Sequence, residues 1–360
     1  MSRSFSARRF SKTVGALCLL ALIDSAVAQP NTDWTTVNLA LTDAHVLPSY
    51  DAFTAAAAGL AEAATAFCAA PSADGLEALQ VHYHTAMDGW QSVQHLQFGP
   101  ITYFNWNYRV QYWPDDRGTG ARQLEALLAA RDPAVLEDDT FDRQSVGVQG
   151  FQALELLLFD DDSLNALQDD TYRCNVVQAI AANLHEIAEG VTTRWRDEFR
   201  ETVANADERG FFESAEDATI DFMKALVEPV RRIKEQKLDA VLGANLAAAR
   251  ERRAESWRAD RSLRNITLNV QALEQLFSVS EPPLSSVLRE EDVALIDAEF
   301  ADLLAALDAQ PEALGEALQD EAGHSALLQI AIQLDALYES MEAALKNTDL
   351  YLGFNSLDGD

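Results

Sequence analysis

The residues best placed to do chemistry lie in one stretch, Ser145-Val-Gly-Val-Gln-Gly-Phe-Gln-Ala-Leu-Glu-Leu-Leu-Leu-Phe159, where a single carboxylate, Glu155, interrupts an apolar run. Read as a helix, the stretch sets Gln149, Gln152 and Glu155 at spacings of three along one face, with Leu154, Leu157 and Leu158 turned into packing. A carboxylate taken out of water must be compensated or must pick up a proton, so Glu155 is expected to have hydrogen-bond donors, a cation or a metal beside it. The residue types leave all three open.

Other constellations point to plainer roles. His185 and Glu189, four apart on a predicted helix, could chelate together, a spacing that ordinary surface contacts share. Asp160, Asp161 and Asp162 lack the glycine-centred alternation of a calcium loop and read as a solvated helix cap. The chain has no His-Glu-x-x-His, no Gly-x-Ser-x-Gly and no Cys-x-x-Cys, which removes the usual signatures of zinc hydrolysis, serine hydrolysis and thiolate metal binding.

The elements that must position these groups are helices. Ala, Leu, Glu, Asp, Gln and Arg dominate, and no segment sustains apolar alternation of period two, so the fold class is all-α. Helices are expected from Pro48 to about Phe67, Asp74 to about Leu96, Asp169 to about Ala206, Asp217 to about Leu242, through the Ala- and Arg-rich Leu246 to Trp257, and over 262–277, 285–309 and 325–346. Between residues 103 and 122 aromatic side chains cluster with Asn, Gly, Pro and Asp, as in a plug over a bundle end or a ligand-facing surface. Glu208-Arg-Gly-Phe-Phe marks the change of pattern, so the expected organisation is two helical bundles packed together, 29–207 and 208–360, after a leader at 1–28.

That leader has Arg3, Arg8, Arg9 and Lys12 before an apolar run from Thr13 to Ile23, then Ala26-Val-Ala28, the pattern of a cleaved secretory signal peptide. The apolar run is too short to span a bilayer, and no later segment is uninterruptedly apolar over the roughly 18 residues a membrane helix needs. The expected location is the periplasm, with outer-membrane association open. Loss of 1–28 would leave 23 Lys and Arg against 57 Asp and Glu, a formal charge of about −34 that argues against a nucleic-acid or anionic-membrane partner. In an oxidising compartment the two remaining cysteines, Cys68 and Cys174, are expected to form a disulfide.

Gly150-Phe-Gln-Ala-Leu-Glu155 resembles the imelysin signature Gly-x-His-x-x-Glu, with Gln152 where the histidine stands. The likeness extends to His45-Val-Leu-Pro-Ser-Tyr50, Trp90-Gln-Ser-Val-Gln94 with Phe98-Gly-Pro100, Trp113-Pro-Asp115 with Ala121-Arg-Gln123, and Leu352-Gly-Phe-Asn-Ser-Leu-Asp-Gly-Asp360. The resemblance implies an exported protein linked to bacterial iron or other metal uptake that acts by binding, with iron or another divalent cation, or a small polar ligand, as cargo. The family's name also implies a peptidase. Against that, an amide cannot replace a neutral imidazole as metal ligand or proton shuttle, so enzymatic activity is an uncertain expectation with no catalytic residues assigned. A periplasmic interaction protein without metal, with other envelope proteins as its partners, is the alternative. The expected ligand pocket gathers Glu155, Gln152, His45 and Arg122, with Trp90 in its wall, since bundles build sites from inward-facing side chains on neighbouring helices. The tail, through Asp358 and Asp360, is a further source of oxygen ligands.

Overall fold

A computed structural model describes residues 33–207, 209–348 and 350; the expected leader and the acidic tail lie outside them. The described residues form one compact unit, helical with no strand among them. The first long helix, α1 (Trp34–Ala69), begins fourteen residues before Pro48. It continues because Thr42–Val46 widen into a single π-turn that admits the extra residue without ending the helix. By length and composition α1 could cross a membrane. Its buried side chains, Tyr50, Phe53, Ala57, Leu60, Ala64 and Phe67, recur at spacings of three and four, the stripe of a core helix, and they face α2 (Ala73–Val93) and α5 (Thr171–Arg194).

Ser72 starts α2 by accepting from Gly75 N at 3.1 Å, and Asp170 starts α5 by accepting from Tyr172 N at 2.9 Å. At Gly89 the backbones of α1 and α2 come so close that a Cβ would stand 2.9 Å from the Phe53 Cα. Cys68, at the end of α1, is bonded to Cys174, at the start of α5, across 106 residues. Thiol titration of the unfolded, unreduced protein should therefore find neither of these cysteines free; two free thiols would remove the staple.

Between α2 and α5 lie α3 (Thr119–Ala130) and α4 (Phe151–Leu158). The aromatic stretch before α3 folds over one side of α5, where Arg194 lies within 6 Å of the ring centres of Tyr103, Phe104 and Trp106. Both packed and outward faces occur: Val110 is buried, while Phe104 and Tyr108 are exposed.

Beyond residue 208, α6 (Ala215–Arg232) runs into another widened turn, Ile233–Asp239, and α7 (Ser262–Ser278), α8 (Glu290–Asp308) and α9 (Glu321–Leu345) follow. Helices from the two halves of the chain pack on each other, α2 against α7 and the start of α1 against α6. One expectation is overturned. Leu246–Trp257 is not a helix but an irregular strap with two short 3₁₀ turns, ending in a left-handed Ser256 (φ 51°). Its alanines and arginines favour helix locally, yet the strap has to turn Glu255 inward and Arg258 N toward α4, which a regular helix cannot do together.

Candidate functional site

Glu155 lies on α4, whose approach is set by Gly150. There the backbone is extended, and a Cβ would come within 2.2 Å of the Val110 carbonyl oxygen and 2.3 Å of the Arg109 one. The demand is therefore for close approach rather than for an unusual φ. Gly150→Ala should push α4 off the Arg109–Val110 backbone and cost about 1–3 kcal/mol, with a drop in thermal midpoint. An unchanged midpoint would mean that this contact is loose.

The helix starts only at Phe151, so Gln149 does not share a helical face with the other two polar residues. Its Oε1 accepts from Arg109 Nε at 2.6 Å and its amide donates to Gln144 O at 2.5 Å, with Arg109 also donating to Asn183 at 2.7 Å. Gln149 thus satisfies a buried arginine. Gln152 and Glu155 border a cavity of about 760 Å³, closed on one side by residues 112–121 and on the other by the strap.

Glu155 is 5% exposed. Its Oε1 accepts the backbone N–H of Arg258 at 2.8 Å. Burial pushes its carboxyl up to about 7, against the opposing pull of the Arg258 amide and charge, while Glu255 adds to the rise. Near neutrality this carboxyl is therefore about half protonated and can donate as well as accept. Gln152 Oε1 is buried with no hydrogen-bond partner, an acceptor facing no donor.

Four arginines of the strap, Arg250, Arg252, Arg253 and Arg258, line the cavity. Arg253 pairs with Asp116, and Arg258 with Asp160 at 3.1 Å. Arg252 lies 5.3 Å and Arg258 4.3 Å from the ring centre of Trp257. Asp115 is occupied in starting α3, accepting from Thr119 N at 2.8 Å and Gly120 N at 2.7 Å. As a metal site the donor set does not fit: of the three carboxylates at the cavity, Asp115 caps α3, Asp116 pairs with Arg253 and Glu155 is buried, and no group of three His, Cys, Asp or Glu able to hold a metal occurs among the described residues.

The other expected members lie elsewhere. His45, in the π-turn of α1, pairs with His95, Nε2 to Nε2 at 2.9 Å. Burial holds His45 down at about 4, and burial followed by His45 itself keeps His95 well below the ordinary range, so two neutral rings share one proton. Trp90 is buried and donates from Nε1 to Gln111 at 2.5 Å, bordering a neighbouring cavity of about 320 Å³. Arg122 is exposed and bonded to Arg117 O and Thr119 Oγ1 within its own helix start. His185 is partly exposed and Glu189 exposed on α5.

Sequence reasoning missed the polar cluster beside the cavity. Lys237 (4% exposed) donates to Glu255 (1% exposed) at 2.7 Å, to Asn269 at 2.6 Å, to Gln94 at 2.9 Å and to Gln91 at 3.0 Å. Glu255 also accepts from Gln111 at 2.8 Å and Asn265 at 2.9 Å. One signal was available: six arginines fall between 250 and 264 in a strongly acidic chain, a concentration that calls for a local purpose.

Residues 46–342 match the imelysin family model. Iron-regulated protein A of Synechococcus elongatus is 24% identical over 319 residues, covering 83% of this chain and 82% of that protein. Two crystal structures share the fold. One is of an imelysin-like protein from Psychrobacter arcticum 273-4, with a TM-score of 0.73 and 20% identity over 89% of this chain and 97% of that one. The second is of a protein described as an iron-regulated protein A precursor from Parabacteroides distasonis, with a TM-score of 0.74 and 14% identity over the same shares. A match that runs through most of the folded helices and includes the Gly-x-Gln-x-x-Glu turn at the cavity places the chain in the imelysin family.

Proposed function

We propose that this protein is an exported binding protein of bacterial iron acquisition, and that the cavity between α4 and the strap holds its ligand. The observation that carries the reading is the gathering of a buried carboxyl, Glu155, with Gln152 and four arginines of the strap around one open cleft of about 760 Å³. The link to iron rests on the names of the relatives, and export on the leader and on the word precursor in one of them. The donor set favours a small polar or metal-containing molecule over a bare ion bound by side chains.

The test is native co-purification. Protein isolated without chelators from iron-limited cells is analysed for metal and for small molecules released on unfolding, beside Glu155→Gln and Gln152→Leu. A stoichiometric load in the wild type that falls in both variants is expected. An empty wild type, or the same load in all three, would end the reading.

A further inference from the structure

The aromatic stretch before α3 turns part of its surface outward, and the cavity of about 320 Å³ beside Trp90 is where that surface meets helices of both halves of the chain. Of its eleven lining residues three are aromatic, Trp90, Tyr108 and Trp113, and five carry carboxamides. The whole chain has only 19 Gln and 13 Asn among 360 residues, so the amides are concentrated here. No carboxylate borders the cavity, although the chain carries 58 Asp and Glu. Trp90, Gln111 and Lys237 are buried and form the floor. Gln111 Oε1 accepts from Trp90 Nε1 at 2.5 Å and from Gln94 Nε2 at 2.6 Å, its own amide donates to Glu255 at 2.8 Å, and Lys237 donates to Gln94 Oε1 at 2.9 Å. Such a network holds the floor in one arrangement.

The rim is different. The Tyr108 hydroxyl, Trp113 Nε1, the Gln236 amide and the Arg232 guanidinium have no hydrogen-bond partner among the described residues, and all four side chains are half-buried or exposed, within reach of a ligand. We propose that this cavity binds a saccharide, a mono- or disaccharide unit whose ring lays its C–H face against Trp113 and Tyr108 while its hydroxyls bond the Gln236 amide and the Arg232 guanidinium. A sugar ring has an apolar face of C–H groups and an edge of hydroxyls that both donate and accept, which are the two properties that aromatic rings and carboxamides match. A simple anion only accepts, so it would leave the amide oxygen unserved and would find one uncommitted cation, Arg232. A planar base would call for amides presenting both ends to its edge, and the floor amides have spent theirs on one another. The volume stands near the lower end of the roughly 300–1,000 Å³ of ligand pockets, which suits one or two rings rather than a long chain. Trp113 borders this cavity and the one at Glu155, but the two share no other lining residue, and the saccharide site does not depend on what the other holds.

The experiment is saturation-transfer NMR titration of the full chain with glucose, galactose, N-acetylglucosamine, glucuronate, maltose and cellobiose, with adenosine as the stacking base and succinate as the anion. At least one saccharide is expected to bind, with the largest transfer to C–H protons of its ring. Tyr108→Ala, at a side chain 56% exposed and so safe for folding, should weaken it about tenfold or more, whereas Tyr108→Phe keeps the ring and should cost less than about threefold. Gln236→Ala should weaken it about threefold or more. Unaltered helical circular dichroism and thermal midpoints show that the variants are folded. Silence toward every saccharide, binding of adenosine or succinate in their place, or saccharide binding that Tyr108→Ala leaves unchanged would each overturn the inference. Binding lost in Glu155→Gln but kept in Tyr108→Ala would put the sugar in the other cavity and overturn it as well.

Discussion

Lys237→Met is expected to destabilise the protein by about 3–5 kcal/mol at pH 7, more than any other single change at the site. The methionine fills similar volume but takes away the positive charge facing Glu255 and the donors that serve Gln91, Gln94 and Asn269. Four oxygens within 3.0 Å of one Nζ are consistent with an ammonium whose three protons are shared among them. Burial is the largest influence on Lys237 and holds it below the ordinary lysine range, while Glu255 pulls the other way. Burial pushes the Glu255 carboxyl up, but Lys237, Asn265 and Gln91 outweigh it and the net direction is down. The pair is therefore ionised, and its members were costly to desolvate. Removing one leaves the other charged and dry. Lys237→Met with Glu255→Leu should regain much of the loss, because two apolar groups in place of two buried charges are often neutral. Denaturant unfolding followed by circular dichroism reads both. A single-variant loss under about 1 kcal/mol would mean that water reaches this pair and screens it.

The second large effect is a pH dependence that opposes the usual carboxylate behaviour. Glu155 has a folded value of about 7 against an ordinary 4.5, so between those limits the folded protein binds more protons at this site than the unfolded chain does. Stability from this group is complete below about pH 4.5 and is lost as the pH rises through 7. At 1.36 kcal/mol per unit the loss is about 3 kcal/mol. The buried histidines act in the opposite sense over an overlapping window. His45 is neutral when folded down to about pH 4, so its contribution grows as the pH rises from there to the ordinary histidine value of 6.5. The test is therefore a difference between proteins. Glu155→Gln keeps an oxygen for the Arg258 amide and cannot ionise. Its stability relative to the wild type should rise by about 3 kcal/mol between pH 4.5 and 8 and be flat at lower pH. A difference that stays constant across that range would place Glu155 in contact with bulk water.

Much of the helical framework is legible from residue order. The face of α1 from Tyr50 to Phe67 repeats at three and four, Ser72 and Asp170 stand where their caps are needed, and the apolar run around Glu155 does bury it. The strap is where local reading fails: alanine and arginine favour a helix, while Glu255 and the Arg258 amide have partners that require an irregular path. Local preference amounts to a few tenths of a kcal/mol per residue, and an unsatisfied buried charge costs several times that, so the partners win.

His45, Trp90 and Arg122 show the same limit. Each lies in a stretch read as resembling the family, but a stretch of sequence carries no direction in space, and the three side chains end against His95, Gln111 and Arg117 rather than in the cavity with Glu155. Residue order alone specified an all-α chain, the cysteines that pair, and one carboxyl withdrawn from water. Which cations and amides surround that carboxyl was settled by helix packing, because Lys237 and Gln91 are 146 positions apart and Arg258 and Glu155 are 103 apart. Periodicity records which face of a helix is dry, and it holds no information about which distant polar group will share that dryness.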